Sequence, residues 1–108
     1  LGVALSMLGH YRAAVRAYDH ALTHDASCPI ATHNLGHLYD VALNRPDRGL
    51  RYLATALRVA PHDLEIRASH AHALCRLGRS DEALVSLGEH LPGGRDEARA
   101  MVLRWTTA

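Results

Sequence analysis

Small residues recur along this chain at a fixed interval, and that interval leaves few folds open. Gly2, Gly36 and Ala71 are separated by 34 and 35 residues, and Ala14, Gly49 and Ala83 by 35 and 34. Tyr18, Leu53 and Leu87 follow the second rhythm, as do Leu22, Leu57 and Leu91, while Leu5, Tyr39 and Leu74 follow the first. Five registers agreeing over three copies mark an internal repeat, and a period of this size means one supersecondary unit per copy. Within a copy the apolar residues fall at helical spacing, as in Ala14, Ala17, Ala21 and Val15, Tyr18, Leu22. Each copy therefore reads as two helices folded back on each other. They cross at the paired small residues, where a larger side chain would hold the backbones apart.

Local signals place the helices. The first copy is expected to hold a helix ending near Leu8, stopped by Gly9, and a partner from Tyr11 to His24. Pro29 suits a first helical position and opens a helix to Leu43, answered by a second over Asp47 to Val59. Asp63 is the expected N-cap of a helix running to Leu77, and Gly78 closes it. Ser80 caps a helix to about Leu91, with Asp81 and Glu82 favourable in its first turn. After the break at Pro92-Gly93-Gly94, a last helix from Asp96 to Thr106 carries Ala98, Met101, Val102 and Trp105 along one face. The copies span 1–28, 29–63 and 64–94, with the final helix at 95–107. One extra residue lies between Gly36 and Gly49. The Asn44–Asp47 turn is its expected place, since a hairpin loop tolerates an insertion and a packed helix does not. The chain opens on Leu, inside a helical pattern, so it reads as a piece of a longer protein.

Composition excludes several chemistries. All twelve basic residues are arginine, which removes a Schiff-base lysine and a Walker-type phosphate loop together. A formal net charge of +1 gives no chain-wide attraction to phosphate, so no nucleic-acid partner is expected. Arg45, Arg48, Arg51 and Arg58 could touch phosphate but lack interleaved aromatics, and read as a solvated face. Cys28 and Cys75 form no CxxC pair and no disulfide framework. No apolar run approaches the ~18 residues of a membrane span, so no membrane is expected. No signal peptide opens the chain, and the cytoplasm is the expected location. Neither a Ser-His-Asp set nor paired carboxylates can be assigned to a pocket. The chain reads as a non-enzyme with no cofactor.

The spacing carries a resemblance. The second copy shows Leu35-Gly36-x2-Tyr39, then Gly49-x3-Leu53, Ala56-Leu57 and Pro61. The first shows Leu1-Gly2-x2-Leu5, Gly9, Tyr11, Ala14-x3-Tyr18 and Ala21-Leu22, and the third His70-Ala71-x2-Leu74, Gly78, Ala83-x3-Leu87 and Leu91. This is similar to the tetratricopeptide repeat family, over nearly the whole chain. The departures are Ala26 for the first copy's proline, Thr32 and Arg67 where the pattern prefers Trp, His70 for a leucine and His90 for an alanine. His70 is expected to be buried and hydrogen-bonded.

The resemblance implies an all-α fold: a right-handed α-solenoid of about three helix-turn-helix pairs plus a C-terminal capping helix. It also implies a protein–protein interaction scaffold, whose first helices line a concave groove for a peptide or partner helix. By register, the groove would hold His33, His37, Asp40 and Val41, with Ile30, from the second copy. Glu65, Ala68, His72, Cys75 and Arg76 would come from the third. Only Asn34 matches the set with which one use of the fold grips a chaperone's C-terminal carboxylate, and Glu65 has the wrong sign for that role. His33 and His37, at i and i+4, are weak candidates for sharing a metal ion, although no metal is expected. The groove histidines could also act as a pH switch. Two other readings stay open: a regulatory or targeting segment of a larger enzyme or transcription regulator, and a homo-oligomer built by end stacking.

Overall fold

The computed structural model describes residues 2–26 and 28–107, with side chains from Leu8 onward. Asp63 caps as its position predicts: its Oδ1 accepts from the amides of Glu65 at 3.0 Å and Ile66 at 3.1 Å. That satisfies two of the donors a helix start leaves without partners. The helix it opens is α4 (Leu64–Arg76). Ahead of it come α1 (Gly2–His24), α2 (Pro29–His37), a π-helical stretch over Leu38–Ala42, and α3 (Pro46–Val59). Behind it come α5 (Ser80–Gly88) and α6 (Gly94–Thr106). The protein is all-helical among the described residues, and no described helix is long and apolar enough to cross a membrane.

The first copy departs from the expected hairpin. α1 runs unbroken from Gly2 to His24, through the predicted stop at Gly9. Gly9 costs a helix only about 1 kcal/mol relative to alanine, and no proline reinforces it. A glycine stops a helix when packing beyond it rewards the turn. At Gly78 that reward exists: Ala71 and Leu74 of α4 share a buried cluster with Ala83 and Leu87 of α5. Gly78 accordingly takes a left-handed φ of 77°.

The extra residue of the second copy also sits elsewhere than expected. The turn after the π stretch and the turn after α4 both contain three residues, Leu43–Arg45 and Leu77–Arg79. Asn44 and Gly78, in the middle, both have positive φ. The Arg79 amide donates to the Leu74 carbonyl, and the Arg45 amide donates to that of Tyr39, which holds the same register as Leu74. The same closing bond thus spans one residue more in the second copy. That residue is absorbed inside the helix, where the Leu43 amide reaches back five residues to Leu38 at 3.0 Å. Widening one turn from α to π lets a helix accept an insertion without disturbing the turn beyond it.

Close packing then fixes each hairpin. α2 and α3 cross at Gly36 and Gly49. A methyl on Gly36 would lie 2.7 Å from Leu53 Cγ, and one on Gly49 would lie 2.6 Å from the Gly36 carbonyl oxygen. Leu35, Leu53 and Ala56 are fully buried around this crossing. The second cluster joins Ala71, Leu74, Cys75, Ala83 and Leu87 to Ala98 and Val102 of α6, with Met101 and Trp105 packed against it. The face expected of the last helix is the one it buries. Leu57 and Leu91 are half-buried, so the deepest leucines are Leu35, Leu53 and Leu87. α4 touches α2 on one side and α6 on the other.

Candidate functional site

Asp40 lies in the π stretch and is 1 % exposed. A buried carboxylate needs partners, because its desolvation is otherwise costly. α4 supplies them. His72 Nδ1 lies 2.6 Å from Asp40 Oδ2, and Arg76 Nη1 donates to Oδ1 at 3.1 Å. Arg76 also donates to the Asp40 backbone carbonyl and, through Nη2, to Asn44 Oδ1. One guanidinium thereby binds the side chain, the backbone and the following turn of the preceding hairpin. Its planar fork of donors permits this, and a lysine could not reproduce it. The His72 ring meets Trp105 of α6 edge to face, with centroids 5.3 Å apart, so the network spans three helices.

A second bond runs parallel to the first. His33 Nε2 lies 2.9 Å from Ser69 Oγ, joining α2 to α4. His37 stands one turn on from His33, ring centroids 6.4 Å apart. Among the described residues no group of three or more His, Cys, Asp and Glu side chains is placed to hold a metal ion.

The residues expected along one groove divide into two groups. His33, Asp40, His72 and Arg76 come together across the α2–α4 boundary. Asp40 and Cys75 are buried rather than displayed, and burial pushes the Cys75 thiol up. The buried Asp40 joins its helix to α4. Glu65, His37 and Val41 are exposed, Val41 at 51 %, and Ala68 is half-buried. Ile30 is the most open of the large apolar side chains among the described residues, at 71 %.

The aromatics around the second hairpin's arginines escaped the sequence reading. Tyr39 and Tyr52 stack with centroids 5.7 Å apart and planes 4° from parallel, and the Arg48 guanidinium lies 5.8 Å from the Tyr39 centroid. These residues, with Arg51 and Thr55, line a cleft of about 410 Å³. The signal was present in the repeat register, which sets Tyr39 and the Gly49 helix against each other. It was masked because the tyrosines lie on different helices and are not interleaved along the chain.

Two positions where the repeat pattern prefers Trp hold polar residues that are nonetheless buried, Thr32 at 1 % and Arg67 at 8 % exposure. Thr32 Oγ1 donates to the Cys28 carbonyl at 2.9 Å. Arg67 donates to the Pro61 carbonyl at 2.7 Å and to Ser86 Oγ at 2.8 Å, which ties the loop before α4 to α5. Beside it, His70 is half-buried, and its buried Nδ1 has no hydrogen-bond partner among the described residues. The expected hydrogen bond of His70 is therefore not made at that atom.

No protein-family model matches the chain. No curated protein matches it either.

Proposed function

We propose that the chain is a protein–protein interaction module of the tetratricopeptide type. In this reading helix pairs stack as a right-handed solenoid, and the first helix of each pair contributes to a groove that takes a peptide or partner helix. One observation carries it: α4 lies between α2 and α6, tied by Asp40–His72–Arg76 and His33–Ser69 on one side and His72–Trp105 on the other. Polar bonds between successive first helices would fix the walls before a partner arrives, so ordering costs fall on the partner. Because Arg76 and His72 are engaged with Asp40, the wall they form suits an apolar or amphipathic segment better than a free carboxylate. Ile30 and Ala68 supply apolar surface beside it.

The test is a peptide selected against the chain from a random display library, with its affinity measured by calorimetry. Ile30→Asp and Ala68→Arg should each weaken binding at least tenfold, about 1.4 kcal/mol, with unchanged far-ultraviolet circular dichroism. Undiminished binding by both variants would place the partner surface elsewhere.

A further inference from the structure

Ala14 and Tyr18 hold the register of Gly49 and Leu53 in the second copy and of Ala83 and Leu87 in the third. In those copies all four residues are buried, with Leu53, Ala83 and Leu87 at 0 % exposure, because the preceding helix lies across them. Ala14 and Tyr18 are only half-buried. With Asn34, His37, Leu38 and Val41 they line an open groove of about 330 Å³ along the seam that α1 makes with α2.

The repeat itself says what belongs there. Gly2 matches Gly36 and Ala71, and Leu5 matches Tyr39 and Leu74, so residues 2–8 are the stretch whose register covers this face. Within one chain they do not reach it. α1 is continuous through Gly9, and residues 2–8 run on along its axis at ~1.5 Å per residue, away from Ala14. The chemistry of groove and segment agrees: residues 2–8 carry no charge, and no Asp, Glu or Arg lines the groove.

We propose that this groove takes residues 2–8 of a second copy of the chain, and that each copy gives its own segment in return. The two α1 helices then lie antiparallel about a two-fold axis near Leu8, midway between the Gly2 and Ala14 registers. Such an exchange is closed and isologous, and it stops at two chains. Its interface is the one α2 already makes with α3, formed between molecules. A straight α1 selects a second copy over closure within one chain. This arrangement also differs from end stacking, which would use the outer face of α6. It does not rest on the partner-binding reading, whose test variants Ile30→Asp and Ala68→Arg lie outside the groove and should leave the exchange intact.

Sedimentation equilibrium of the 108-residue chain between ~1 and ~100 μM tests it, a range that brackets dimer constants near 10 μM. The expected result is a monomer–dimer equilibrium. Val41→Arg in the groove and Leu5→Asp in the segment should each weaken it at least tenfold. Val41 is 51 % exposed, so arginine there leaves the chain folded, and circular dichroism verifies this. Leu103→Arg, on the exposed face of α6, should leave the dimer unchanged. A chain that stays monomeric at the highest concentration overturns the proposal. So does a dimer that survives Val41→Arg or Leu5→Asp, or one that only Leu103→Arg dissolves.

Discussion

Asn44 and Gly78 occupy the same left-handed corner of two turns of equal length, with φ of 53° and 77°. Around them the turns agree residue by residue: Leu43 and Leu77 precede with ψ near zero, and Arg45 and Arg79 follow with φ of −126° and −106° and ψ of 68° and 48°. Two turns so alike cannot differ by an inserted residue. The insertion is therefore in the helix before Asn44, and the π stretch over Leu38–Ala42 is its local form. The buried Asp40 lies in this stretch, bonded to His72 and Arg76.

If the π stretch is one residue of slack, removing one residue should close it into ordinary α-helix. Deleting Val41, which is 51 % exposed within the chain, should leave it folded, with a loss of about 1–2 kcal/mol or less. Deleting Ala54 from α3, which has no slack, rotates the Leu53–Ala56 face out of the core and should cost several kcal/mol, on the order of a lost core leucine. Urea denaturation of the two deletions checks the contrast; equal losses would deny the π stretch this role.

The Asp40 network should behave as a unit. Asp40→Ala removes the acceptor on which His72 and Arg76 converge and should cost about 2–4 kcal/mol, less than a fully buried pair because both partners keep partial solvent contact. His72→Ala and Arg76→Ala should each cost less alone. In a double-mutant cycle, Asp40→Ala combined with Arg76→Ala should show a coupling of roughly 1–3 kcal/mol. Additive losses would mean that the bonds form without contributing to stability.

How much of this was legible depended on whether the signal was local. The Asp63 cap, the Gly78 stop, the Pro29 start and the buried face of α6 follow from single residues acting on their neighbours, and all appear in place. Gly9 carries the same local signal as Gly78 without the same outcome, since a glycine permits a turn and packing decides it. Asp40 looked like a groove residue because its register is right. Its burial rests on contacts distant in sequence, among them the bond to an arginine 36 positions away. The Tyr39–Tyr52 stack was hidden for the same reason: the two rings meet across a crossing, not along a helix.

His70 predicts a pH dependence with a definite sign. Burial holds its pKa below the ordinary 6.5, aided by the positive charge of Arg67 and Arg79 and opposed by Glu82. In the unfolded chain the imidazole takes a proton near pH 6.5; in the folded chain it does so only at lower pH. Between those two values the unfolded state binds more protons, so stability falls as pH drops through that window and levels off below it. His70→Leu should remove this component and, by eliminating an unpartnered buried nitrogen, raise stability at pH 7 by about 1 kcal/mol. Urea midpoints from pH 7.5 to 5 for both chains check this; parallel curves would mean that another group carries the acid sensitivity.

The two crossing glycines should not be equally sensitive. Alanine gains about 1 kcal/mol over glycine in a helix, which favours both substitutions before packing is considered. A methyl on Gly36 meets the Leu53 side chain at 2.7 Å and the Gly49 carbonyl oxygen at 3.0 Å, and part of that clash can relax through the leucine rotamer. A methyl on Gly49 meets the Gly36 carbonyl oxygen at 2.6 Å and the Asp40 amide at 3.0 Å, and backbone cannot move aside without parting the helices. Overpacking of this kind costs about 1–3 kcal/mol. Gly36→Ala should therefore come out near neutral to mildly destabilising. Gly49→Ala should lose ~2 kcal/mol or more and loosen Asp40 from α4, the Asp40 amide being the second backbone atom the new methyl meets, after the Gly36 carbonyl. The third copy places Ala71 and Ala83, both at 0 % exposure, in the matching registers, so its crossing accepts the methyls that the second copy excludes. Thermal melts of the two variants, with amide exchange at Asp40 as the local readout, test the ordering. A Gly49→Ala chain as stable as the wild type would show that the π stretch yields where the crossing does not.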